Sequence, residues 1–265
     1  MQHVNAAFYC FSPISNLAEL KQILKRDLLD LGLKGTVILA PEGMNGFLAG
    51  PAQAIRSALS HLRSLPPFTA LHSKESESEE VPFGKLCIKL KKEIVTFRQP
   101  GTSPLETQSP APRLAPHELL KWFEEGRDMI LIDTRNEYET KIGTFEGAFV
   151  PPISHFVQFA DIAKNFPEEW KKKTVVTFCT GGIRCEKAAP FMASLGYENV
   201  YQLEDGILGY MEKTGGKFWR GECFVFDQRI ALGPDLKPTG ARLCGHCQGP
   251  VPKRETNCIH CGQIT

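Results

Sequence analysis

The chain has 265 residues, which is enough for two domains or three small ones. Its 31 basic and 30 acidic side chains nearly cancel, so any nucleic-acid binding would depend on local patches rather than on overall charge. No apolar run approaches the roughly 18 residues of a membrane helix, and the N-terminal MQHVNAAFYC lacks the features of a secretory signal. We therefore expect a cytoplasmic protein with no membrane partner, in which a catalytic or metal-binding role for cysteines is favoured over disulfides among the nine present.

The first hundred residues predict an α+β domain. Two helix patterns, at 17–32 and 51–65, alternate with short strand patterns, which lie at 6–12, 35–40, 46–50, 85–90 and 93–97. The order βαββαβ, with one extra short strand, predicts a ferredoxin-like domain over residues 1–100. The acidic, serine-rich segment 73–80 predicts a solvated loop.

The remainder of the chain predicts a second fold and a tail. Proline, glycine and serine concentrate in a predicted linker at residues 101–115. Over residues 116–218, helix patterns separate the short apolar strands MILID, TVVTF and NVYQL, which predicts a parallel α/β sheet covered on both faces. Residues 219–265 form a cysteine-rich C-terminal region, and its segment CFVFDQRIAL, which opens with Cys223, is predicted as a strand with that cysteine in the core.

The stretch TVVTFCTGGIRC (Thr174–Cys185) predicts a reactive cysteine. An apolar run ends at Cys179, two glycines follow, and Arg184 stands where a helix is predicted to begin. Unpaired N–H groups and the helix dipole at such a junction stabilise a thiolate, and the arginine adds a fixed positive charge. Cys179 and Arg184 are therefore the candidate catalytic pair, although a cysteine at a strand end is also commonly a small core residue.

The length of the loop bears on its chemistry. Four residues separate the cysteine from the arginine and form the predicted anion cradle: Thr180, Gly181, Gly182 and Ile183. Loops that wrap a phosphate between a Cys and an Arg are commonly longer. The tighter loop favours a single sulfur atom, and hence a cysteine persulfide carrier over a phosphatase.

Three further residues near this loop have two interpretations each. Cys185 could resolve a modified Cys179, or it could be a small residue in the first helical turn. Asp133 and Arg135 follow the apolar run MILI at a predicted strand end. They could steer an anionic substrate, or they could tie neighbouring loops by hydrogen bonds.

A second group of cysteines predicts a metal site near the C-terminus. CGHC and CIHC are separated by ten residues and supply four thiolates: Cys244, Cys247, Cys258 and Cys261. Two such CxxC turns fit a tetrahedral structural zinc site, which leaves no open position for substrate. A short tail with few apolar residues cannot build a core, so the metal would supply its folding energy.

The loop FCTGGIRC resembles the active-site loop of the rhodanese family of sulfurtransferases. MILIDTRNEYE and GTFEGAFVPP are similar to the first core strands of that family, and LGYENVYQLEDGILGY to its closing strand and turn. The whole layout resembles one bacterial family more closely, on the phrases APEGMNG, FCTGGIRCEKA and FVFDQRIAL. That family, the tRNA uridine hydroxylases, joins a ferredoxin-like domain, a rhodanese domain and a cysteine-rich tail.

This resemblance implies oxygen-dependent formation of 5-hydroxyuridine at the wobble position of tRNA, with the essential cysteine at Cys179. The implied partner is tRNA, not DNA, and the implied co-substrate is molecular oxygen. The sequence shows no dinucleotide fingerprint and no set of histidines and carboxylate for an iron oxygenase, so the oxidising chemistry is unassigned. Two alternatives remain open: a persulfide sulfurtransferase fed by a sulfur donor, and a non-catalytic module that binds tRNA or protein.

Overall fold

A computed structural model of the chain describes residues 3–107 and 110–265. Residues 108 and 109 of the predicted linker lie outside the described residues. The chain divides into two compact units, Met1–Thr96 and Phe97–Thr265. The finer predicted boundaries, at residues 116 and 219, stay predictions.

The first unit is a five-stranded sheet with two helices. Its elements in chain order are β1 (His3–Phe11), α1 (Leu17–Asp30), β2 (Lys34–Ala40), β3 (Gly43–Pro51), α2 (Ala52–Ser64), β4 (His72–Ser78) and β5 (Leu86–Leu90). The strand order is β4-β1-β3-β2-β5, with β5 parallel to β2 and the other pairs antiparallel. The first four strands and the two helices have the βαββαβ connectivity of a ferredoxin-like fold, which confirms that prediction.

Two local predictions in this unit were wrong. The acidic segment predicted as a loop contains β4, which pairs with β1 from Tyr9↔His72 to His3↔Ser78. Alternate side chains of a strand point to opposite faces of the sheet, so Glu75 and Glu77 are exposed on one face while the β4 backbone pairs with β1. Residues 93–97 form no strand, because the Ile94 N–H donates to Glu42 Oε1 (2.8 Å) and the Ile94 carbonyl accepts from Asn45 Nδ2 (3.1 Å).

The second unit contains the predicted parallel sheet. Its first elements are β6 (Arg113–Leu114), α3 (Pro116–Glu124), β7 (Ile130–Asp133), α4 (Glu137–Thr140), β8 (Gly143–Phe145), α5 (Phe159–Ala163), β9 (Thr174–Phe178), α6 (Cys185–Ser194), β10 (Asn199–Leu203), α7 (Gly206–Thr214) and β11 (Trp219–Gly221). The sheet order is β6-β10-β9-β7 and every pair is parallel. Strand β6 lies inside the segment predicted as a linker.

Strand β9 lies in the interior of this sheet and positions the cysteine loop. Val176 and Phe178 pack in a core shared with α3 and α7, whereas α6 packs on β9 and β10 with α5 beside it. Because alternate residues of a strand point to opposite faces, β9 is buried on both sides. The loop that follows it begins at the carboxyl end of the sheet, where parallel α/β folds bind ligands.

The C-terminal segment adds four short strands: β12 (Cys223–Phe224), β13 (Ala231–Leu232), β14 (Arg242–Leu243) and β15 (Pro250–Val251). The single strand predicted for CFVFDQRIAL is wrong, because β12 and β13 pair antiparallel around a turn. The Val225 N–H donates to the Ile230 carbonyl across that turn at 2.9 Å. Within the described part of the chain, no helix has the length and apolar character needed to cross a membrane.

Candidate active site

The cysteine loop curls around the sulfur of Cys179. Cys179 directly follows β9, and α6 begins at Cys185. Gly182 has φ +95°, a conformation that favours glycine, and its N–H donates to Cys179 Sγ at 3.1 Å. The Arg184 N–H also donates to this sulfur. The sulfur therefore lies over the amino end of α6, where unpaired N–H groups stabilise a negative charge.

The loop is fixed from its other side by the start of α7. The N–H groups of Ile207 and Leu208 donate to the carbonyls of Cys179 (2.9 Å) and Thr180 (3.1 Å). Gly206 has φ +61°, and a Cβ there would lie 2.4 Å from the Cys179 carbonyl oxygen. The Asp205-Gly206 pair before a helix pattern indicates a turn, but nothing local in the sequence links this glycine to the cysteine loop.

Arg184 is held by a carboxylate that the sequence analysis missed. Its Nη1 and Nη2 donate to the two carboxylate oxygens of Glu139, each at 2.9 Å. Glu139 is fully buried and also accepts from the Asn136 N–H at 3.0 Å, as the third residue of a capping box at α4. The pattern N-x-x-E was the available signal for the cap, but it does not indicate the arginine partner.

These contacts make Cys179 a thiolate near neutral pH. Burial raises its pKa, but the hydrogen bond from the Cys185 thiol, the charge of Arg184 and the N–H groups of Arg184 and Gly182 lower the pKa to about 6. Burial and the neighbouring Cys179 thiolate raise the pKa of Cys185 well above its ordinary value, so Cys185 keeps its proton and donates it. Buried Cys223, in contrast, has its pKa raised to about 12, chiefly by burial.

Thr180 brings a free hydroxyl to the same loop. Its Oγ1 is buried and has no hydrogen-bond partner within residues 3–107 and 110–265. Cys179 is only 1 % exposed, so its sulfur is almost entirely shielded from solvent. An unpartnered buried hydroxyl there is available to an atom carried by Cys179 or to its substrate.

Asp133 and Arg135 form a buried ion pair beside this loop, and Arg135 Nη1 has no hydrogen-bond partner among the described residues. Arg135 Nε and Nη2 donate to Asp133 Oδ1 (2.9 Å) and Oδ2 (2.7 Å), and both side chains are fully buried. Arg135 Nη2 also donates to the Gly143 carbonyl at 2.6 Å, and Thr144 Oγ1 donates to Asp133 at 2.8 Å. This geometry favours loop tying over the steering of an anionic substrate, which needs an accessible guanidinium.

The four cysteines of the tail converge on one point. Their sulfur atoms all lie within 4.8 Å of one another, with Cys244 and Cys261 3.8 Å apart and Cys247 and Cys258 3.5 Å apart. A tetrahedron of thiolates about 2.3 Å from a zinc ion would place its sulfurs about 3.8 Å apart. The cluster could therefore bind a metal ion, and the predicted ligands are brought together.

The histidines inside the two CxxC motifs contact the sulfur cluster through their backbone. The N–H groups of His246 and His260 donate to Cys244 Sγ and Cys258 Sγ, each at 3.4 Å. The His260 ring nitrogen lies 2.8 Å from the Pro250 carbonyl, so this ring is engaged away from the sulfur cluster.

Two family models match the chain, one within each of the two compact units. An "UPF0176 acylphosphatase like domain" matches residues 3–94, and a "Rhodanese-like domain" matches residues 115–213. Similar curated proteins span nearly the whole chain and share one name, "tRNA uridine(34) hydroxylase". The protein of Cupriavidus necator is 43 % identical over 98 % of this chain and 93 % of its own length. Those of Bordetella avium and Thiobacillus denitrificans are each 46 % identical, over 90 % and 93 % of this chain and all of their own length.

The chain belongs to the tRNA uridine(34) hydroxylase family. This membership confirms the family resemblance inferred from the sequence. The match to the rhodanese-like domain includes the cysteine loop from Cys179 to Arg184. Among solved structures, a rhodanese-like domain from Anabaena is similar at 24 % identity, with a TM-score of 0.36 over 42 % of this chain and 79 % of its own.

Proposed function

We propose that this chain is an enzyme that hydroxylates the wobble uridine of tRNA to 5-hydroxyuridine, with Cys179 as the nucleophile. One observation carries the proposal: a buried thiolate with a pKa of about 6 lies in the rhodanese loop of a tRNA uridine(34) hydroxylase family member. An enzyme acting on tRNA would work in the cytoplasm, and its partner is RNA rather than DNA.

The thiolate suits an attack on the pyrimidine ring. Addition of Cys179 Sγ to carbon 6 of uracil would break the 5,6 double bond and place the electron pair on carbon 5 and the adjoining carbonyl. Carbon 5 would then bond to one oxygen of a peroxide, and the O–O bond would break to release the other oxygen as hydroxide. The peroxide would form from molecular oxygen with two electrons from an external reductant, such as a dithiol. Loss of the proton on carbon 5 and of the Cys179 sulfur would restore the double bond and the free thiolate.

The loop residues have separate roles in this scheme. The N–H groups of Gly182 and Arg184 hold the sulfur as a thiolate, and the Arg184–Glu139 pair fixes the arginine. Cys185 donates to the thiolate, and we infer that it also resolves an oxidised Cys179. A peroxide would oxidise Cys179 to a sulfenic acid, the Cys185 sulfur would displace water from it to form a disulfide, and an external thiol would reduce that disulfide. Zinc, held by the four tail cysteines, would have a structural role.

A second activity, persulfide sulfur transfer, is favoured by two features of the loop. The short loop and the free Thr180 hydroxyl suit a sulfur atom carried on Cys179. A sulfurtransferase would move that sulfur from a thiosulfate-type donor to an acceptor such as cyanide. The hydroxylase would leave cyanide unchanged.

Nucleoside mass spectrometry of tRNA tests the proposal. A strain that lacks the gene is complemented with the wild-type chain, with Cys179→Ser or with Cys87→Ser, a cysteine in β5 outside the loop. We expect a uridine heavier by one oxygen atom with the wild type and Cys87→Ser, and none with Cys179→Ser. An undiminished hydroxylated nucleoside with Cys179→Ser would refute the role of Cys179, and loss of a thiolated uridine instead would identify a sulfurtransferase.

A further inference from the structure

The turn between β12 and β13 presents an exposed aromatic ring. Phe226 is 56 % exposed, whereas its neighbours Phe224 and Val225 are buried. An exposed phenylalanine loses the free energy of burying its ring, so its position needs an explanation when it lies beside a reactive group.

The turn that carries Phe226 is held rigidly. Asp227 accepts from Arg229 Nε (2.9 Å) and Nη2 (2.7 Å), and both side chains are nearly buried. The Ile230 N–H donates to the Asp227 carbonyl at 3.0 Å. Ile230 has φ +64°, which is unfavourable for a β-branched residue and persists only where surrounding contacts enforce it. These contacts fix the backbone position from which the Phe226 ring projects.

The Phe226 ring lies next to the catalytic arginine. The guanidinium carbon of Arg184 lies over the Phe226 ring, 5.6 Å from its centre. Phe226 also packs edge-on against Phe224, which packs edge-on against Tyr138, the residue before Glu139. The exposed ring thus shares its contacts with the Arg184–Glu139 pair that holds the Cys179 loop.

We propose that Phe226 is the stacking surface for the pyrimidine base that Cys179 attacks. The inference rests on the proposed function and adds a substrate-binding residue to it. A base must leave its stack to expose carbon 6, and proteins hold such unstacked bases on aromatic faces. The Phe226 ring beside Arg184 would set the orientation of the base plane relative to the Cys179 sulfur. Stacking of the base would also cover the part of the ring that is exposed to solvent.

A binding cycle tests this contact directly. Full-length Cys179→Ser protein, with Phe226 intact or with Phe226→Leu, is titrated with an anticodon stem-loop RNA that has uridine at the wobble position. The same titrations use an RNA that is abasic there. Base stacking is worth about 5- to 150-fold in affinity, so we expect base removal to weaken binding at least about fivefold with Phe226 and less than about twofold with Phe226→Leu. Phe226→Tyr should restore the difference.

Equal losses on base removal with and without the ring would overturn the inference. The inference would also be overturned if the affinity of the chain with Phe226 did not depend on the wobble base. That result would indicate that the ring contacts another part of the RNA or a protein. Leu29→Ala, in α1, removes an apolar side chain of similar exposure (51 %) and should leave the cycle unchanged. The integrity of the loop is checked in a Phe226→Leu chain that retains Cys179. An unchanged alkylation rate of Cys179 in that chain shows that the loop is intact.

The proposed function is checked separately. If the wild-type chain does not restore 5-hydroxyuridine in the complemented strain, the proposed function fails whatever the cycle gives. If the wild type restores it and the cycle shows no coupling to Phe226, only the stacking role fails.

Discussion

The molecule contains two cysteine centres that stabilise thiolates in different ways. Cys179 lies in a buried loop, where N–H groups, an arginine and a second thiol lower its pKa to about 6 against the effect of burial. The tail has four sulfurs around one point, and the buried residues of that cluster are Cys244, Val251 and Cys258. The first centre is built by the surrounding fold, whereas the second has almost no core of its own, and we expect its folding to require a bound metal ion.

Cys223 shows that burial alone does not stabilise a thiolate. It is as buried as Cys179, yet its pKa is raised to about 12, because burial dominates and the nearby charge of Arg135 only partly offsets it. The difference between the two buried cysteines lies in the donors aimed at the sulfur. Reactivity in this chain therefore follows local geometry rather than residue type.

Metal removal should give the largest effect and should separate the two centres. We expect a strong chelator, or Cys258→Ser, to reduce bound zinc from one per chain to none and to unfold the tail, because such sites contribute about 10–16 kcal/mol to folding. Metal analysis and limited proteolysis of residues 242–265 measure this. The alkylation rate of Cys179, followed on its own peptide, should not change; a tail that stays protected without metal would contradict the comparison.

Loss of Arg184 should be the next largest effect. Arg184→Met leaves Glu139 buried and unpaired, which costs about 3–5 kcal/mol of unfolding free energy. The loss of the positive charge should also raise the pKa of Cys179. Denaturant unfolding and the pH profile of alkylation measure the two results.

The matched control for Arg184 is Lys217→Met. Lys217 pairs with Glu124 at 2.6 Å, but its side chain is 57 % exposed. This change should cost less than about 1 kcal/mol. Similar costs for the two variants would show that burial of the Arg184–Glu139 pair is unimportant.

Gly206→Ala should test the contact that fixes the loop from α7. An alanine there has both an unfavourable φ and a Cβ against the Cys179 carbonyl, whereas Gly147, at φ +70°, has open space. We expect Gly147→Ala to cost about 1–2 kcal/mol for its φ alone, and Gly206→Ala about 1–3 kcal/mol more for the clash. Chemical denaturation measures both, and equal costs would exclude steric contact with the loop as the cause.

Cys185→Ala should give the smallest effect and should act on reactivity. Although burial raises the pKa of Cys179, the Cys185 thiol is the first of the groups that lower it, so its loss moves the pKa upward. A hydrogen bond to a charged group is worth about 1.5–3 kcal/mol, which is about one to two pKa units, so we expect alkylation of Cys179 at pH 6.5 to fall about 4- to 40-fold. Cys185→Ser keeps a donor and should fall less.

The pH profile of Cys179 alkylation shows in which direction Cys185→Ala shifts the pKa of Cys179. The thiolate fraction of wild-type Cys179 increases as pH rises through about 6, so its alkylation rate should level off above pH 7. In Cys185→Ala the plateau should move to higher pH. A wild-type rate that still rises steeply between pH 8 and 9 would show that Cys179 is an ordinary thiol.

Much of the fold was predictable because its patterns are local. The strand and helix periodicities gave the ferredoxin-like and parallel sheets, but not β4, whose charged residues resemble a loop until β1 pairs with them. The turn at Phe226 was missed for a similar reason. Its apolar residues alternate as in a strand, and only the Asp227–Arg229 pair and the hydrogen bond between Val225 and Ile230 reverse the chain.

The sequence by itself indicated the two cysteine centres, because a strand–turn–helix loop gathers its donors within a few residues and each CxxC turn brings two sulfurs together. Only the tertiary structure decided that Glu139 holds Arg184, 45 residues away, that Gly206 closes the loop and that Phe226 lies beside it. The physical reason is that these contacts join elements distant along the chain, and their partners meet only after the sheet has placed its carboxyl ends together.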